Sequence, residues 1–321
     1  MSDAPAPAPA PGPSGTSGPI GTGARTGLLP SPTAATTRTS RPPRTPRLSR
    51  QRRQRVAADL GLLVAAGAFV VPLLWLVFAS LDAEAKLKVS PPSSPTMENF
   101  SAVWTDEITF TPMLNSFLIC GSGTLLTMVC AALAAYPLSR YRSRFGRPYL
   151  LGILFTTCLP ITAVMVPIYS LFVQINLIDT MWGTSLFLAT SQLPFAIWLM
   201  KNFMDGVPIV LEEAAWTDGA SWFQALVRVI VPLMGPGVTV VTIYSFIMMW
   251  GNFFVPFMLL LDPEKLPASV SIYTFFGNYG VVVYGELAAF SILYSTPVLL
   301  LYILISRRMG GGFTLGGGVK G

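Results

Sequence analysis

Seven stretches of this chain, residues 60–81, 108–139, 148–178, 180–200, 229–261, 266–285 and 287–306, contain no Asp, Glu, Lys or Arg. Each is long enough to cross a hydrocarbon core, which takes about 20 residues of helix. Backbone polar groups in lipid must bond internally, which leaves helices or closed barrels. The runs are continuously apolar instead of alternating with period two, so the fold class expected is an all-α membrane protein. Composition agrees: 52% of residues are hydrophobic and only 11% charged, against about 25% charged in soluble domains.

Residues 266–285 carry Pro267, Gly277, Asn278, Gly280 and Gly285 among serines, threonines and tyrosines, and read as a loop. Six transmembrane helices are then expected, at about 60–81, 113–138, 149–173, 183–200, 236–261 and 287–306. Cytoplasmic flanks concentrate Lys and Arg. With both termini cytoplasmic, that side holds all but Lys86, Lys88 and Lys265 of the 21 basic residues. A seventh helix would move Arg307 and Arg308 outside. The net charge of +6 thus follows membrane topology, and no nucleic-acid partner is expected.

Residues 1–55 are rich in Pro, Ala and Arg and are expected as a disordered cytoplasmic arm. The basic run 38–55 is no signal-peptide head, because the apolar run after it is too long and no small-residue cleavage site follows. Residues 56–308 form the membrane domain and 309–321 a Gly-rich cytoplasmic tail. Pro72, Pro160, Pro167, Pro194, Pro256 and Pro297 sit at membrane depth, where proline kinks a helix and transport proteins shape cavities.

The chain contains no His, so the commonest general base and metal ligand are missing. Cys120, Cys130 and Cys158 lie inside apolar runs and read as small hydrophobes. No Gly-Lys dipeptide exists to build a P-loop. Neither a catalytic residue, a metal site nor a cofactor is expected in this chain. A membrane hydrolase would need a nucleophile paired with a base, and a secondary transporter would need internal repeats and midplane ionisable groups; none is seen. The secondary transporter of a small polar solute is the alternative reading.

The longest cytoplasmic loop, 201–235, has the pattern of structure. Pro208 suits the start of a helix, residues 209–217 continue it, Asp218-Gly219 is a turn signal, and Ser221 can cap a second short helix that Pro232 ends or kinks. The first helix would present Leu211, Glu213, Ala214 and Trp216 to the cytoplasm. Ala214 and Ala215 permit close approach, and Glu213 offers an acceptor to an Arg or Lys. A surface-lying helix that merely covers the bundle floor would look alike.

Glu213-Ala214-Ala215, three residues, Gly219, nine residues and Val229-Ile230-Val231-Pro232 resemble the EAA loop of permease subunits in binding-protein-dependent ABC importers. Asn115-Ser116, Ala134-Ala135-Tyr136 with Ser139-Arg140, Leu193-Pro194-Phe195 with Trp198, and the tail 313–321 resemble the MalG-like branch of carbohydrate importers. Trp250-Gly251-Asn252-Phe253 departs from that branch, which has Asn and a polar residue directly after the Trp. The resemblance implies a type I importer permease paired with a MalF-like permease, an ABC ATPase dimer that binds Mg-ATP, and an extracytoplasmic sugar-binding protein. It assigns ATPase coupling to Glu213, Ala214, Ala215, Asp218, Gly219 and Pro232, and sends the tail between the ATPase subunits.

Three further features have common structural explanations. Asn99-Phe100-Ser101 fits a glycosylation pattern that chance supplies often. Asp179 and Glu286 at helix ends read as solvated flanks, and Trp104, Trp182 and Trp198 as interfacial aromatics.

Overall fold

Helix after helix is set by the apolar runs, and Pro160 breaks one of them. The computed structural model describes residues 47–141, 144–276 and 282–308; expectations for residues 1–46 and for the tail 309–321 lie outside them. α1 (Arg47–Ser80) begins earlier than expected. Residues 47–55 are part of this helix, as the good helix formers Arg, Gln and Leu among them allow. α2 (Glu98–Val103) and a π turn (Asp106–Phe110) lead into α3 (Thr111–Arg140). There follow α4 (Gly146–Thr156), α5 (Ile161–Gln174), α6 (Met181–Asp205) and α7 (Ile209–Thr217). The rest comprises α8 (Trp222–Ala225), α9 (Val231–Leu233), α10 (Gly235–Trp250), α11 (Phe254–Leu259), α12 (Ala268–Ser271) and α13 (Tyr284–Arg308).

Among the described residues three helices are long and apolar enough to cross a membrane, and five spans result if each of two bent pairs counts as one. The sixth expected span falls in α6, whose 25 residues suffice in length but whose Thr, Ser and Gln make it less apolar than the others. Two expected helices are interrupted. The helix expected at 149–173 divides into α4 and α5, bent by 90°, because Pro160 has no N–H to donate and disfavours helix in the residue before it. The helix expected at 236–261 stops at Trp250; Asn252 Oδ1 then accepts from the Val255 N–H at 3.0 Å and starts α11. Residues 266–285 contain only α12 and a 3-10 turn, Ile272–Phe275, before the undescribed 277–281. Among the described residues no span forms there.

α3 and α6 are the spine. A Cβ on Gly123 would come within 2.9 Å of Met249 Sδ and 3.3 Å of the Ser185 carbonyl, so glycine lets the helices approach closely here. Ser122 Oγ donates to Ser185 Oγ at 3.0 Å, and Ser185 Oγ donates to the Ile119 carbonyl at 3.1 Å. Small residues and hydroxyl bonds are how helices associate where lipid supplies no hydrophobic drive. One apolar cluster, around Ala135, Met200, Met204, Leu226 and Ile230, joins α3 and α6 to the loop after α6. A second, around Ile119, Leu188, Met249 and Trp250, joins them to α10. Trp250 and Tyr294 then pin α10 to α13: Trp250 Nε1 donates to the Tyr294 carbonyl at 3.2 Å, and Tyr294 Oη donates to the Trp250 carbonyl at 2.6 Å.

At the far end from Arg140, Asn115 Nδ2 donates to the carbonyls of Glu264 and Leu266, and Ser116 Oγ accepts from the Ala268 N–H at 2.8 Å. Asp179 is more than a solvated flank. It accepts from the Leu261 and Asp262 N–H groups and from Lys265 Nζ at 2.6 Å, tying the α5–α6 turn to the chain after α11. The Lys265 hydrogen bond, with the two amides, lowers its carboxyl pKa to about 2. A depressed carboxylate stabilises the fold above its ordinary pKa near 4, and that contribution is lost as pH falls through about 2. Asp179→Asn should therefore lower the thermal midpoint of the detergent-purified protein at pH 7. The gap from wild type should close between about pH 4 and pH 2, as a melting series across pH would show.

Candidate functional site

The loop between α6 and α10 is an ordered helix, turn and helix. Pro208 stands at the N-cap of α7, where its missing N–H costs nothing. Gly219 closes the turn after Asp218 at φ +86°, in the left-handed region. Nothing lies within 4 Å of where its Cβ would be, so glycine is required by the backbone and not by space. Ser221 starts α8 with a capping box: its Oγ accepts from the Gln224 N–H, and the Gln224 side chain accepts from the Ser221 N–H at 2.9 Å. These are the elements expected from Pro208, Asp218-Gly219 and Ser221.

Adjacent Glu212 and Glu213 are separated by about 100° around the helix, and they meet opposite environments. Glu213 is exposed, as are Leu211, Ala214, Trp216 and Asp218; Ala215 is half-buried. Glu212 is fully buried. Its Oε2 pairs with Arg140 Nε at 2.6 Å, and its Oε1 accepts from Tyr136 Oη. Arg140 also donates to the carbonyls of Met204 and Val207, each at 3.3 Å. Beside it Ser139 Oγ donates to Asp205 at 2.6 Å. One guanidinium thus holds the end of α3, the end of α6 and the inner face of α7 together. Trp222 packs its ring 6.0 Å from that of Tyr136, adding α8 to the same anchor.

Glu212 is the residue that reading the sequence missed. Tyr136 and Arg140 held the signal: four residues apart at a helix end, they share one face and need a common acid if that face is covered.

Pro232 bends the other side of the loop. It cannot donate to the turn before it, and the chain answers with a π turn, Leu226–Ile230, in which the Val231 N–H reaches the Leu226 carbonyl. The segment Trp222–Leu233 then meets α10 at 84°. Of the six residues assigned to coupling, Glu213, Ala214, Ala215, Asp218 and Gly219 lie together on α7 and its turn. Pro232 lies apart from them, exposed at the elbow.

The two glutamates should separate cleanly on mutation. Glu212→Ala leaves Arg140 charged and buried, which costs about 3–5 kcal/mol. Glu213→Ala should stay within about 0.5 kcal/mol of wild type. Denaturant unfolding of the purified protein, followed by tryptophan fluorescence, checks both.

The family described as binding-protein-dependent transport system inner membrane component matches residues 123–311. The trehalose transport system permease protein SugB of Mycobacterium tuberculosis is 31% identical over 261 residues, covering 80% of this chain and 95% of that protein. The sulfoquinovosyl glycerol transport system permease protein SmoH of Agrobacterium fabrum is 29% identical over 260 residues, 80% of this chain and 90% of that protein. A crystal structure of a bacterial ABC transporter involved in the import of the acidic polysaccharide alginate has a chain of the same fold, with a TM-score of 0.69 at 23% identity over 83% of this chain and 99% of that one. With its apolar spans and the match over most of its described length, the chain belongs to the binding-protein-dependent transport system inner membrane components, the multi-pass permease subunits of ABC importers.

Proposed function

We propose that this chain is the MalG-like permease of an ATP-driven sugar importer and forms the translocation path with a second, MalF-like permease. The observation that carries this reading is the α7 turn. Leu211, Glu213, Ala214 and Trp216 present an exposed face, while Glu212 fixes the opposite face to α3 and α6. A surface-lying helix would not need such an anchor. A docked partner pushing on α7 would move the ends of both spine helices with it.

In this reading Glu213 meets a basic residue of an ABC ATPase dimer, and Ala214 and Ala215 allow its close approach. Gly219 permits the turn, and Asp218 and Pro232 shape its two sides. ATP and Mg are bound by that dimer, since this chain has no Gly-Lys dipeptide with which to build a P-loop. The sugar comes from an extracytoplasmic binding protein, and both termini are cytoplasmic. Support for a sugar cargo comes from relatives named for trehalose and for sulfoquinovosyl glycerol.

Gly219→Val places a β-branched residue at φ +86°, a strain of about 1–3 kcal/mol at the turn. ATP-dependent uptake should fall to background while the subunit remains in the membrane at its normal level. Normal uptake by this variant would remove Gly219 from the coupling path. Uptake that persists without ATP on a maintained ion gradient would instead favour a secondary transporter.

A further inference from the structure

A partly open cavity of about 630 Å³ lies where α4 and α5 part, against α6 and α10. That is within the range of small-molecule sites. Its walls are mostly apolar, but Thr190, Gln192, Tyr244 and Asn252 bring polar groups to it. Gln192 is near the middle of α6, roughly 16–20 Å from either end at 1.5 Å per residue. It is half-buried, and its carboxamide makes no hydrogen bond to another described residue; nor does the Tyr244 hydroxyl. Asn252, whose Oδ1 accepts from the Val255 N–H in the first turn of α11, also lines the cavity. Pro194 also withdraws the donor that the Thr190 carbonyl would receive in an unbroken helix.

Unpaired amide and hydroxyl groups are costly at membrane depth unless a polar solute or water meets them. Phe195 and Tyr244 stand beside them with ring centroids 4.5 Å apart, an amphipathic wall suited to the C–H face of a pyranose. None of the lining residues is Asp, Glu, Lys or Arg. A charged solute would find no counter-charge in this low-dielectric setting. We infer that this cavity is the chain's own contribution to the sugar path and that it takes a neutral saccharide, with Gln192 and Tyr244 as hydrogen-bonding residues and Phe195 as the stacking wall. The inference rests on the sugar-importer reading and goes beyond it in naming the site and excluding uronates.

The test uses cells carrying the complete importer, with and without this chain, and labelled maltose, trehalose, N,N′-diacetylchitobiose and digalacturonate as probes. Uptake of a neutral probe should depend on the chain. For that probe Gln192→Leu should lower uptake about tenfold, the loss of one well-made hydrogen bond, whereas Gln192→Asn should retain most of it. Both variants are checked for normal membrane levels by immunoblot. If Gln192 merely packed, the apolar Leu of similar size would be tolerated better than Asn; that order, or unchanged uptake in the Leu variant, overturns the site. Chain-dependent uptake of digalacturonate overturns neutrality while leaving the importer reading intact. Uptake of every saccharide unaffected by loss of the chain overturns the importer reading itself, and this inference with it.

Discussion

A carboxylate and a guanidinium buried together among methionines and alanines constrain everything around them. Glu212 and Arg140 are almost wholly withdrawn from solvent, and two such charges are tolerated only when geometry and further hydrogen bonds satisfy what the pair leaves over. Tyr136 and the carbonyls of Met204 and Val207 do so. Because these partners come from α3, α6 and α7, none of the three can shift alone without stranding a charge. The exposed face of α7 is therefore rigidly mounted on the spine.

The fold class was legible in the runs without charge, and the ends of α3 and α13 fell close to where those runs predicted. The loop was legible too: Pro208, Asp218-Gly219 and Ser221 each specify a local backbone state that short-range chemistry decides. What could not be read was how prolines divide a run. Pro160 splits its helix, whereas Pro167, Pro194 and Pro297 remain inside theirs. The apolar pattern is the same in both cases and does not tell a break from an unbroken helix. Glu212 was hidden for the same reason. Beside Glu213 it has identical chemistry, and only the position of Arg140 in space decides which of the two is buried.

The departure at Trp250-Gly251-Asn252 also acquires a physical meaning. Asn252 accepts from the first turn of α11 through its side-chain oxygen and lines the cavity, while Ser269 Oγ donates to its backbone carbonyl at 3.0 Å. A position that looked like a lost polar feature is a junction between a helix cap and a polar wall. The cavity exists because α4 and α5 part at Pro160, so the same proline that breaks an expected span opens the space.

The reciprocal Trp250–Tyr294 hydrogen bonds have a mechanical consequence. They fix one end of α10 as an axle, while its other end begins at the elbow beside Met234, which is buried in the cluster on α3 and α6. α10 is about 24 Å long at 1.5 Å per residue, so a 2 Å thrust at the elbow turns it by only about 5°. Tyr244 lies well along this crank towards its axle, and travels less than half as far as the elbow. By this geometry any displacement at the elbow would reach the wall of the cavity reduced to less than half, a fraction of an ångström for a thrust of that size.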